Sequence, residues 1–300
     1  MKAVRFEQHG GIDVLQVVDA ARPEPGPGEV LVAVRAAAIN LLDSTIREGY
    51  VQSVYPVAAY PSGQGLDFAG VVEGVGPKVV ELAAGDEVLG FLLPPGHAQA
   101  EYIVAPVNQM VRKPAGVGWT VAGGLYTAGT AAYASVRAVG PQPGETVVIA
   151  GAAGGVGSIA VQLARRAGAK VVGIASARNH VWLESHGVTP VAYGKDMRLK
   201  TPTAFIDTVG DGYVKLAIEL GVAPERINTV IDFAAAAQYG THADGNQAAG
   251  TTQALAELAA LVDKGEVEVP IAATYSFDEV RQAYEVLEQR HTRGKIVLEP

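Results

Sequence analysis

Cysteine is absent from all 300 residues, which excludes disulfides, thiolate nucleophiles and every metal site built on sulfur. The six histidines, His9, His97, His180, His186, His242 and His291, show no H-x-x-x-H or H-E-x-x-H spacing, so no metal site is expected. Basic residues are in deficit: 23 Lys and Arg against 31 Asp and Glu give a formal charge of −8. That balance offers no footprint for nucleic acid or an anionic membrane, and neither is expected as a partner. No apolar run reaches the roughly 18 residues of a membrane span. The stretch Met1 to Glu7 lacks a secretory leader's apolar core, so a cytoplasmic location is expected. What remains is 49% hydrophobic and 18% charged, a well-buried globular chain long enough for two domains.

Residues 1–118 are rich in Val, Gly and Pro. Short alternating runs such as Glu29 to Arg35 and Phe68 to Val75 are punctuated by Pro25-Gly26-Pro27-Gly28 and Gly85-Asp86, which predicts a barrel-type, mostly antiparallel β domain. From 119 the texture changes to strands alternating with helices, the pattern of a covered parallel sheet. Its centre is the run Val147-Val148-Ile149-Ala150-Gly151-Ala152-Ala153-Gly154-Gly155-Val156-Gly157. A strand runs into a glycine-rich turn, and Ile159 to Gly168 reads as the following helix. Small residues there let main chain approach a pyrophosphate at a helix N-terminus. Ala152 stands where the usual G-x-G-x-x-G has glycine, so Gly154, Gly155, Val156 and Gly157 carry the expected cradle.

The residue closing the second strand of such a unit reads the adenosine ribose. A carboxylate there favours NAD, and an Arg without one favours the 2′-phosphate of NADP. This strand ends Ala175-Ser176-Ala177-Arg178 with no acid. Ser176 can donate to a phosphate and Arg178 can pair with it, so NADP(H) is the expected cofactor.

The segments Pro27 to Val32, Ile39-Asn40, Gly65 to Val72, Gly85 to Val88, Ala152 to Gly157 and Gly294 to Leu298 together resemble the zinc-independent quinone oxidoreductase branch of the medium-chain dehydrogenase/reductase superfamily. The resemblance covers essentially the whole chain. It implies an α/β protein: a GroES-like catalytic domain from 1–118 and 262–300, a Rossmann domain from 119–261, and a homodimer joined through Rossmann sheet edges. Zinc-dependent relatives carry Cys and His ligands where this chain reads Ala38-Ile39-Asn40 and Gly65-Leu66-Asp67. Without a Lewis acid, hydride transfer to an electron-poor quinone or α,β-unsaturated carbonyl is the implied chemistry.

The resemblance also implies site residues. Ser176, Arg178 and Tyr193 match the adenosine 2′-phosphate end, while Tyr193 could equally pack as a strand-end aromatic. Asp232 and Phe233 match a segment near the carboxamide, where Asp232 could instead cap a turn. Thr130, or Thr127, stands near the nicotinamide, unless these hydroxyls bond back to helix carbonyls. Asn40 is the candidate for the nicotinamide ribose or an acceptor carbonyl, and Asp43 orders its loop. Tyr50 is the candidate proton donor, with Tyr55 second; either could simply line a pocket. Tyr50, Tyr55, Phe91 and Tyr239 are expected to wall a neutral, aromatic substrate pocket. Two other functions stay open: reduction of 2-enoyl thioesters or tailoring intermediates, and a non-catalytic NADPH-binding sensor.

Overall fold

The computed structural model describes residues 1–194, 197, 199–200 and 202–300. They form two compact units, Met1–Thr127 with Thr251–Pro300, and Ala128–Gly250. The cuts lie at 127/128 and 250/251, where the sequence texture suggests 118/119 and the family resemblance implies 261/262. Two tethers account for this. Thr127, in the first turn of the helix Tyr126–Val139, is bonded to Asp67. Gly116 N–H donates to Asp263 at the end of the helix Thr252–Asp263, at 2.9 Å.

The first unit is organised by the eleven-residue strand Glu29–Ile39. One edge pairs along its length with Asp67–Val75; the other pairs first with Tyr102–Pro106 and then with Lys295–Glu299. Glu87–Phe91 and Met110–Arg112 extend the sheet on one side, and Ile271–Ser276 closes it on the other. Pairing is antiparallel except between Ile271–Ser276 and Lys295–Glu299, which are joined by the helix Val280–Glu288 as a crossover. A small sheet of Gln16–Asp19, Lys2–Phe6 and Ser62–Gly63 completes the unit. Val30, Val32, Val34, Phe68, Val72, Val88 and Ile103 fill one core. Val4, Ile39, Phe277, Tyr284, Ile296 and Leu298 fill another. The chain leaves the buried end of Glu29–Ile39 straight into Asn40, the residue before the helix Leu41–Arg47.

The second unit is a five-stranded parallel sheet in the order Thr189–Ala192, Lys170–Ala175, Thr146–Ala150, Ala204–Asp207, Ile227–Thr229. Its inner strands are near-continuous apolar runs because both faces are covered. The first strand in sequence, Thr146–Ala150, is central, so strand order reverses on either side of it and the turn at Gly151 sits at the topological switch point. The outer edge of Ile227–Thr229 is closed. Thr229 N–H donates to His242 O at 3.1 Å and His242 N–H to Ile227 O at 3.0 Å. The buried Asn228 amide then imitates main chain, donating to Asp244 O (3.0 Å) and accepting from Asp244 N–H (2.8 Å). Among the described residues, no helix is long and apolar enough to cross a membrane.

Candidate active and cofactor sites

The glycine turn is as tight as its sequence suggests. Gly151 has φ +72°, and a side chain at Gly157 would stand 2.1 Å from Gly151 O. The first turn of the twelve-residue helix Gly155–Arg166 therefore lies directly against the loop. Ala152, the departure from the usual motif, is fully buried. Its methyl occupies space left by Gly173 on the neighbouring strand, where a Cβ would come within 2.8 Å of it. The substitution is thus absorbed beneath the cradle, and Gly154, Gly155 and Gly157 present main chain rather than side chains. These residues fit a pyrophosphate.

At the end of Lys170–Ala175, Ser176 Oγ accepts from the buried Asn179 amide at 3.0 Å. That bond directs the Ser176 hydroxyl proton away from Asn179. Arg178 is exposed beside it, and Tyr193 is 53% exposed at the end of the next strand. Asp207 closes the fourth strand: it accepts from Val209 and Gly210 N–H and from the Thr229 hydroxyl, each at 2.9 Å. Burial raises its carboxyl, and these bonds oppose the shift. Asp232 caps the helix Phe233–Tyr239 by accepting from Ala235 N–H at 3.0 Å, and Phe233 is 60% exposed on that helix's first turn. Thr130 is fully buried, and its hydroxyl accepts from Asn246 Nδ2 at 2.6 Å.

The first unit holds a buried polar cluster. Lys295 Nζ donates to Asn40 Oδ1 and, at 3.2 Å, to Ile39 O. Asn40 Nδ2 donates to Asp67 Oδ2 at 3.4 Å. Asp67 Oδ1 accepts from both the N–H (3.1 Å) and the hydroxyl of Thr127. Burial raises the Asp67 carboxyl, against the pull of Lys295, Thr127 and Asn40. Burial lowers the Lys295 ammonium, and Asp67 and Asp43 oppose that. Asp43 accepts from Asn40 N–H at 2.9 Å, so it does order the entry to its helix. Its carboxyl is pushed up to about 7 by burial and then by Asp67. Behind it Tyr284 accepts from Gln64 (2.9 Å) and Gln99 (2.8 Å). The fully buried Arg47 pairs with Glu288 at 2.9 Å.

The aromatic residues lie on several elements. Tyr50 is 78% exposed, just beyond the helix Leu41–Arg47. Tyr55 is half-buried against Phe6, Ile46, Val57 and Leu66. Phe91 is buried and stacks on Tyr126 with ring centroids 3.8 Å apart. Burial raises the Tyr126 phenol, and Asp67 and Tyr55 add to the shift, so Tyr55, Phe91 and Tyr126 converge on the Asp67 end of the cluster. Tyr239 belongs to the other unit, half-buried against its core. Three participants, Asp67, Lys295 and Tyr126, carried no role in the sequence reading. Their signals were an acid and a base inside apolar strand segments and an aromatic immediately before Thr127.

Residues 26–139 match the family model of the alcohol dehydrogenase GroES-like domain, and residues 198–298 match that of the zinc-binding dehydrogenase domain. The chain is 30% identical to a 2-methylene-furan-3-one reductase of Solanum lycopersicum, with 100% of this chain and 79% of that protein covered. The solved quinone oxidoreductase from Coxiella burnetii superposes with a TM-score of 0.89 at 30% identity, covering 100% and 99% of the two chains. The chain belongs to the medium-chain dehydrogenase/reductase superfamily, in its quinone oxidoreductase branch. It is an oxidoreductase with a GroES-like sheet domain and a parallel-sheet, Rossmann-type domain. A further solved relative, the Escherichia coli quinone oxidoreductase complexed with NADPH, superposes with a TM-score of 0.87 at 26% identity over the whole of both chains. Although one matched model describes zinc-binding dehydrogenases, no group of three or more His, Asp or Glu among the described residues of this superfamily member could hold a metal ion.

Proposed function

We propose that this oxidoreductase uses NADPH to reduce quinones or α,β-unsaturated carbonyls without a metal. The observation that carries the reading is the acid-free end of Lys170–Ala175, where Asn179 holds Ser176 with its proton directed away and Arg178 stands exposed beside it. A dianionic 2′-phosphate is served by one hydroxyl and one guanidinium, whereas a ribose hydroxyl would want the missing carboxylate. The main chain of Gly154 to Gly157 would hold the pyrophosphate. Tyr193, Asp232 and Phe233 are the further candidates for cofactor contact. Bound there, NADPH supplies a hydride.

The acceptor class follows from the first unit. Its polar cluster offers an ammonium, an amide and two carboxyls in place of a Lewis acid, and the Phe91–Tyr126 stack offers a flat apolar wall. Such groups position and hydrogen-bond an acceptor that is already electron-poor. Asn40 is the candidate donor to its oxygen. Tyr50 and Tyr126 are the phenols that could return a proton.

A panel of 1,4-naphthoquinone, a simple enone and a 2-enoyl thioester, each with NADPH, tests the assignment. Turnover of the quinone or the enone supports it. Strict preference for the thioester overturns the acceptor class. NADPH binding without turnover of any acceptor overturns catalysis in favour of a sensor.

A further inference from the structure

Within the polar cluster, Lys295 touches Asn40 and Ile39. Lys295 is 5% exposed, Asn40 6% and Asp67 fully buried, so an ammonium, an amide and a carboxyl meet out of solvent where the strands Glu29–Ile39, Asp67–Val75 and Lys295–Glu299 adjoin. In water a primary amide turns over freely, because its two ends exchange equivalent partners. Here they are not equivalent. An ammonium can only donate, so the end facing Lys295 Nζ must be the oxygen. The other end donates one Nδ2 proton to Asp67 Oδ2 at 3.4 Å. Asp67 is itself fixed, since Thr127 supplies two donors to its other oxygen. One Asn40 Nδ2 proton is left over.

We infer that Lys295 is a positioning residue: with Asp67 it locks the Asn40 amide so that its second N–H is presented to the oxygen of the acceptor. This rests on the reductase reading for the identity of that oxygen. The lock prevents the amide from offering its carbonyl where negative charge develops during hydride transfer. The ammonium on Oδ1 also polarises the amide and makes its N–H a stronger donor. A preorganised donor of this kind contributes more in a buried site than in water.

A double-mutant cycle tests it. Lys295→Met should lower kcat for quinone or enone reduction by about tenfold or more, short of the roughly hundredfold to thousandfold loss that follows removal of an oxyanion donor itself. The Kd for NADPH, measured by calorimetry, should change little. In an Asn40→Ala background, Lys295→Met should add no further loss of kcat, because the residue it acts through is gone. Additive losses overturn the inference. Lys295→Arg supplies the readout that packing alone would not move. Met fits an apolar strand position better than Arg, yet the Arg variant should retain more kcat; the reverse order refutes a positioning role.

Should Lys295→Met fail to fold, Lys295→Leu, which also removes the donor to Oδ1, takes its place in the cycle. If the wild-type protein reduces neither quinone nor enone, the acceptor reading fails while the lock stays testable. The Asn40 side-chain ¹H–¹⁵N resonances, assigned with Asn40→Ala, should be well separated in the wild type. They should shift towards free-amide values in the Lys295 variant, and unchanged resonances would refute the lock.

Discussion

The methyl of Ala152 fills the space that a side chain at Gly173 would need: a Cβ on Gly173 would lie 2.8 Å from that of Ala152. The missing first glycine of the turn is thus paired with a glycine one strand away. Gly173→Ala is expected to destabilise the protein by about 1–3 kcal/mol through overpacking. Adding Ala152→Gly should recover most of that loss. Urea unfolding of the two single variants and the double measures the coupling, and simple additivity would show that the two positions do not share space.

Asp43 makes stability depend on pH. Its carboxyl is raised from 3.8 to about 7, chiefly by burial and then by Asp67, and Asp43 Oδ1 is buried without a partner. Between those values the folded state holds a proton that the unfolded chain has released. Its contribution is therefore complete below about pH 4, falls as pH rises towards 7 and flattens above. The slope for one such group is at most about 1.4 kcal/mol per pH unit. Asp43→Asn should flatten the curve over that interval, and an unchanged slope would place the proton elsewhere.

Arg47 and Glu288 tie the helix Leu41–Arg47 to Val280–Glu288. The guanidinium is fully buried, while the Glu288 side chain is 29% exposed. Removing one partner of a buried pair costs about 3–5 kcal/mol, and the exposure of Glu288 sets Glu288→Ala at or below about 3 kcal/mol. Arg47→Met should be milder than Arg47→Ala, because it removes the charge and keeps the volume. Thermal melts at neutral pH decide both comparisons.

The closed edge at Ile227–Thr229 bears on self-association. Resemblance to the family implies a dimer joined through Rossmann sheet edges, yet at Ile227–Thr229 His242 already occupies the main-chain hydrogen bonds of Ile227 and Thr229 that an incoming strand would use. The absence of native cysteine permits a clean test. His242→Cys should give no intersubunit disulfide under mild oxidation. Efficient cross-linking would show two such edges meeting.

Much of the Rossmann half is legible in the sequence, because strand runs and turn chemistry are local. The second strand ends at Ala175, as its sequence suggests. Boundaries shift where side chains intervene. The strand Ile227–Thr229 ends where the Thr229 hydroxyl accepts from Ile231 and Asp232 N–H. The helix expected from Ile159 begins at Gly155: its two glycines, Gly155 and Gly157, carry little helix propensity, but at Gly157 close packing against Gly151 leaves no room for a side chain. The polar cluster was illegible for another reason. Asn40, Asp67, Thr127 and Lys295 are remote in sequence, and only long-range strand pairing assembles them.

The central claim is NADPH-dependent hydride transfer read at the acid-free strand end. Its most direct test is kcat/KM for NADPH and for NADH with 1,4-naphthoquinone, in the wild-type protein and in Arg178→Ala. The account predicts a wild-type preference for NADPH. In the variant, the KM for NADPH should rise roughly tenfold to a hundredfold, the equivalent of about 1.5–3 kcal/mol for a charge-assisted hydrogen bond, while NADH is little affected. Equal losses with both cofactors, or a wild-type preference for NADH, would contradict it.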